Sequence, residues 1–135
     1  MRRFALAVAL SALAFTGSCK ESTAPPRGLA GIYELMTVDG EPLPVVLFDD
    51  AEGTEEMLSG HVDLFSNGTF SDITRIRTTV NGSTTEEDVA AEGTYRLSGS
   101  TVTFDAPSGA YTMELDGTTL TQDWNGFILV YQKVS

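Results

Sequence analysis

The sequence predicts an all-β fold, an eight-stranded antiparallel up-and-down barrel, on three observations. From Gly31 onward the dominant period is two, and no stretch holds a helical pattern. Asn81-Gly82 signals a two-residue turn with both residues at positive φ. Placed there, it sets Arg77 opposite Glu86 and Arg75 opposite Asp88, two opposite-charge pairs from one assumption. The other turns, placed by the same rules, return apolar residues to the same side each time, and a slip of one residue at any of them swaps its faces. A meander whose inward faces are all apolar is best satisfied by closure, which removes both exposed edges. An open sheet or a two-sheet sandwich is the alternative.

The chain opens with a leader outside that pattern. Met1-Arg2-Arg3 precedes an apolar stretch from Phe4 to Phe15, then the small residues Thr16, Gly17 and Ser18, then Cys19, the only cysteine. This is the layout of a secretory signal, and its apolar part is too short to span a bilayer. An exported chain with a single cysteine forms no internal disulfide, so that residue needs another use. Residues 16 to 19 resemble the lipobox of bacterial lipoproteins. The resemblance implies that residues 1 to 18 are a cleaved signal peptide and that Cys19 is the lipid attachment site, carrying a diacylglycerol and a further acyl chain such as palmitate. It also implies a lipid-anchored place in the bacterial cell envelope. Lys20 stands where an aspartate retains some lipoproteins at the inner membrane, which favours the outer membrane, on its periplasmic side or at the surface. One acyl chain binds a membrane marginally, whereas several make a stable anchor. Residues 19 to 28, polar and holding Pro25-Pro26, read as a semi-extended linker to a domain spanning 29 to 135.

The strands follow in order at about 31 to 38, 58 to 65, 69 to 80, 84 to 98, 101 to 105, 110 to 115, 118 to 124 and 127 to 133. Ser66-Asn67-Gly68 fits a three-residue hairpin loop joining Val62 and Leu64 to Phe70. The next ribbon carries Phe70, Ile76, Val80, Val89, Ala91 and Gly93 on its buried side. Gly99-Ser100 sets Leu97 opposite Val102 and Tyr95 opposite Phe104. A four-residue loop at 106 to 109, with Pro107 suited by its fixed φ, brings Phe104 across from Tyr111. Asp116-Gly117 is expected to pair Met113 with Leu120, and Asn125-Gly126 to pair Trp124 with Phe127 and Leu120 with Tyr131. The connection from Asp39 to Met57 breaks this rhythm: Pro42 and Pro44 lead into the apolar run Val45-Val46-Leu47-Phe48 and an acidic stretch, 49 to 56. It is expected to be a long loop.

Four short motifs then resemble the lipocalin-like domains of bacterial lipoproteins: Gly31-Ile32-Tyr33, Asn67-Gly68-Thr69-Phe70, Gly93-Thr94-Tyr95 and the closing Leu129-Val130-Tyr131-Gln132-Lys133. Tyr33 stands where lipocalins carry a tryptophan. The resemblance implies a barrel around a small apolar ligand, and a basic side chain across the first aromatic ring. That part falls to Lys133 through a cation–π contact, its alternative being a solvated lysine. It also implies that the first long loop is a lid, so Val45, Val46, Leu47 and Phe48 either cover a cavity or plug the barrel end.

Function is less legible. The barrel interior supplies candidate ligand-binding residues Tyr33, Phe70, Asp72, Tyr95, Phe104, Tyr111, Gln122, Trp124 and Tyr131, an apolar set with a few polar groups. An eight-stranded barrel is narrow enough for side chains to fill, so a filled core is the competing expectation. Outward-facing Ile32, Met36, Ile128 and Val130 form a candidate protein-contact patch on the strands meeting at the barrel seam. Without the leader, two of the eight basic residues are lost and six remain against nineteen acidic, a formal charge near −13. That balance excludes nucleic acid as a partner. The stretch 49 to 56 lacks the spacing of a calcium loop, so no metal is expected. His61 is expected to face outward with no nucleophile nearby, so neither an enzyme nor a cofactor is expected. The remaining alternative is an envelope lipoprotein with a structural or protein-interaction role.

Overall fold

Ten strands follow one another along residues 28–135, the part of the chain described by a computed structural model of the protein, and no helix interrupts them. They are β1 (Gly31–Val38), β2 (Glu41–Pro42), β3 (Val45–Asp50), β4 (Gly53–Leu64), β5 (Thr69–Val80), β6 (Ser83–Ser98), β7 (Thr101–Ala106), β8 (Gly109–Asp116), β9 (Thr119–Trp124) and β10 (Phe127–Lys133). From β4 to β10 each strand pairs antiparallel with the next. β10 returns to β1, and β1 closes the ring on β4 through Gly31–Leu64 and Tyr33–Val62. The result is the closed eight-stranded up-and-down barrel that the sequence predicts, with β2 and β3 as short additions. The signal peptide, Cys19 and residues 20 to 27 lie outside the described residues.

Turn chemistry sets the register. Asn81 and Gly82 sit at φ 51° and 79°, which fits the twist of a two-residue hairpin and puts Arg75 opposite Asp88 and Arg77 opposite Glu86. The Arg75 guanidinium lies 2.9 Å from Asp88, and the hydrogen bond it donates holds that carboxyl below its ordinary range. The turns at 66 to 68, 99 to 100 and 125 to 126 give the predicted pairs, including Tyr95–Phe104 and Leu120–Tyr131. Phe104 faces Tyr111 as expected, although Ala106 and Gly109 themselves pair and leave only Pro107-Ser108 in the turn.

Three expectations are corrected. The β8–β9 turn is Gly117-Thr118, with Gly117 at φ 63°, so Leu120 pairs with Leu115 instead of Met113. A shift of two keeps every side chain on its face, and Met113 and Leu120 are both buried. The connection 39 to 57 is no long loop: β2 folds back on β1, and β3 forms a hairpin with an extended β4, so β4 starts at Gly53 and not near 58. Within that hairpin Asp50 accepts the amides of Glu52 and Gly53, and Glu56 lies 3.7 Å from Arg77, so turn-making and ion pairing occupy part of the acidic stretch. Val80 and Val89 are exposed, because the β5–β6 ladder runs on to Val80–Ser83 whereas β7 pairs with β6 only from Thr94 to Ser98. One side of the wall therefore rises well above the other.

The interior falls into two halves. At the base, Tyr33, Leu35, Val62, Leu64, Phe70, Val102 and Phe104 are almost wholly buried. The Tyr33 hydroxyl donates to the Leu29 carbonyl at 2.7 Å and Tyr95 donates to Phe65 at 2.7 Å, so the buried hydroxyls are satisfied as the chain crosses the base and closes it. The Lys133 ammonium donates to the carbonyl of Gly28, an arrangement in which the lysine seals the base alongside Gly31. No cation–π contact with Tyr33 is found among the described residues.

Candidate functional site

The upper half of the barrel holds an open cavity of about 360 Å³, within the range of small-molecule sites. Its floor is aromatic. Phe70 meets Phe104 edge-on with centroids 4.9 Å apart, and Phe104 stacks on Tyr111 at 5.0 Å, an 11° interplanar angle. These rings fill the barrel where the strands converge, and space remains above them because the next inward residues are Asp72, Thr74 and Gln122. Trp124 and Phe127, centroids 6.2 Å apart, stand at the rim beside Asn125-Gly126. The tall β5–β6 ribbon overhangs the opening with Val89 and Ala91, which extend the apolar wall upward.

Polarity is concentrated at one point. Asp72 on β5 accepts a 2.7 Å hydrogen bond from the Tyr111 hydroxyl on β8 across the floor. Burial raises the Asp72 pKa, and the Tyr111 bond and the charge of His61 only partly oppose it. Tyr111 and Tyr131 are pushed up strongly, first by their own burial and then by the neighbouring Asp72 charge, so both hydroxyls remain protonated donors. The β8–β9 ladder stops at Glu114–Thr121, so Tyr111 and Gln122 line a stretch of wall with no ladder between their strands.

Of the predicted ligand residues, Asp72, Tyr111, Gln122, Trp124 and Tyr131 come together around the cavity. Tyr33, Phe70, Tyr95 and Phe104 lie below it in the packed base. Met57, Ile76 and Ala90 also line the space. Met57 is the residue that a long-loop reading of 39 to 57 misses, because β4 begins at Gly53. In β3, Leu47 is buried, while Val46 and Phe48 are exposed on the barrel edge. Phe48 meets Phe127 edge-on at 5.9 Å, so this run braces one side of the rim. His61 lies in a shallow outer groove with Ile32, Glu34 and Asp63. Among the described residues no three His, Cys, Asp or Glu side chains are grouped to hold a metal ion.

The cost of Asp72 gives a direct test. A carboxyl whose folded pKa is raised binds protons more readily in the folded than in the unfolded chain. The stability linked to Asp72 is then fully present below the ordinary value of 3.8 and is lost as pH rises through the higher folded value. Asp72→Asn keeps an oxygen for Tyr111 and removes the charge. The variant is expected to be more stable at neutral pH by about 1 kcal/mol, the order of one polar desolvation penalty. Thermal midpoints at pH 7 and pH 3.5 check it, since the advantage is expected to vanish at the lower pH. Comparison with known proteins adds no relative, as no family model, no curated protein and no solved structure matches the chain.

Proposed function

We propose that this protein is a lipid-anchored envelope lipoprotein whose lipocalin-like barrel holds a small, largely apolar molecule in its upper cavity and acts on it by binding alone. The observation that carries the reading is the divided interior: a filled aromatic base gives the barrel its stability, so the upper half is left free for a guest. A core needed only for folding has no reason to stop halfway and place a buried carboxylate in the gap. The leader and Cys19 support an anchor at a bacterial membrane, with the outer membrane favoured by Lys20.

A second reading, a protein-interaction lipoprotein, is supported by the outward patch. Ile32, Met36 and Ile128 are each at least 40% exposed, and Val130 lies between them on the β1–β10 seam. One experiment separates the two. The full chain carrying Cys19→Ala is expected to leave the membrane fraction. After exposure to a lipid extract, native mass spectrometry is expected to show it with one bound small molecule. A bare protein mass refutes cavity binding, and a dimer or protein adduct without small molecule favours the second reading.

A further inference from the structure

The cavity is chemically one-sided. Asp72 sits at its floor and Asp123 at its rim, and among the described residues no lysine, arginine or histidine lines it. The described arginines are engaged on the outer wall, Arg75 with Asp88, Arg77 with Glu86 and Glu56, and Arg96 with Asp105 at 2.7 Å. Lys133 is at the opposite, closed end. Asp72 is thus a partly buried carboxylate with no salt bridge among the described residues, held by Tyr111 through Oδ2 and lining the cavity. A buried charge is costly unless paired. His61 acts on it only from the outer wall, and no cation among the described residues lines the cavity, so a guest can supply the partner; an anionic guest such as a fatty acid would set two carboxylates against each other.

We propose that the cavity takes an organic cation, with a protonated amine seated on Asp72 and an apolar body filling the space beneath Trp124. The ammonium gains a charge-assisted hydrogen bond to the Asp72 carboxylate. The rings of Tyr111, Tyr131 and Trp124 offer it their negative faces while packing against its carbon skeleton. The acidic surface, net −11 for the whole chain, draws cations toward the mouth. This inference rests on the binding reading above and fixes the class of ligand.

The test uses one carbon skeleton with three head groups. The full chain carrying Cys19→Ala is loaded with N-phenyl-1-naphthylamine, a neutral fluorescent probe of apolar cavities. The probe is then displaced with n-octylamine, 1-octanol or octanoate near neutral pH. Octylamine is expected to displace it at about a tenfold lower concentration than octanol, roughly one added charge-assisted contact, with octanoate weakest. Adding Asp72→Asn is expected to abolish the advantage of octylamine over octanol. Octanol or octanoate matching octylamine overturns the cation assignment, as does a preference that survives Asp72→Asn. Failure of the probe to enter at all overturns cavity binding itself, so the two failures are distinct.

Discussion

Phe104→Ala is expected to cost about 3 to 5 kcal/mol, the range for removing a buried aromatic ring and leaving its cavity unfilled. Phe104 is fully buried, stacks on Tyr111 and meets Phe70 edge-on, so its loss leaves a hole between two rings held on different strands, β5 and β8. The β-strands around it are tied by ladders and cannot collapse to fill the gap. Urea unfolding measures the loss directly, and a cost under about 1 kcal/mol is incompatible with a packed base. The same substitution removes the surface on which Tyr111 rests, so a folded variant is also expected to hold the Asp72 hydrogen bond less firmly and to bind cavity ligands more weakly.

The second large effect is expected at Gly93. A Cβ there would lie 1.9 Å from the carbonyl oxygen of Asp105, 3.0 Å from its carbon and 3.2 Å from the Cα of Ala106. All three atoms are backbone, so no side chain can swing aside. Gly93 sits where the β6–β7 ladder ends and β6 is paired with β5 alone in the tall ribbon, and the close approach of the two backbones is at that corner of the wall. Gly93→Ala is expected to lose at least about 3 kcal/mol, the upper end of overpacking costs. Gly82→Ala is the contrast: its φ of 79° is unfavourable for alanine, but nothing lies within 4 Å of the new atom. It is expected to cost only about 1 to 2 kcal/mol. Equal unfolding midpoints for the two variants would refute the corner.

Most of the barrel was legible because its turns demand particular residues. Asn81-Gly82 and Asn125-Gly126 need positive φ at both positions, and once they were placed the cross-strand pairs followed. What alternation cannot detect is a shift of two, which is why Gly117-Thr118 was misplaced by a step that left every face intact. The segment 39 to 57 was hidden for another reason. Its two prolines and acidic stretch have loop composition, and Val45 to Phe48 is apolar on both faces although only Leu47 is buried. The cavity was half visible. Inward polar residues Asp72, Thr74 and Gln122 marked its level, but its depth depends on where neighbouring strands end. Alternation places Val80 and Val89 on the apolar face of their ribbon, but it does not carry that β7 pairs with β6 only from Thr94 to Ser98, well short of their level.

Residue 28 enters at the sealed base, beside Lys133 and beneath Leu29, whereas the rim formed by Trp124 and the β5–β6 ribbon is at the far pole. The shape is a cup whose foot is the end where residue 28 enters. On the anchoring at Cys19 proposed above, the attachment would fasten the end that admits nothing, and the open rim would be turned away from the supporting bilayer. On the same proposal a guest would arrive from the surrounding fluid or a facing surface, and the lipids holding the cup would have no direct path into it.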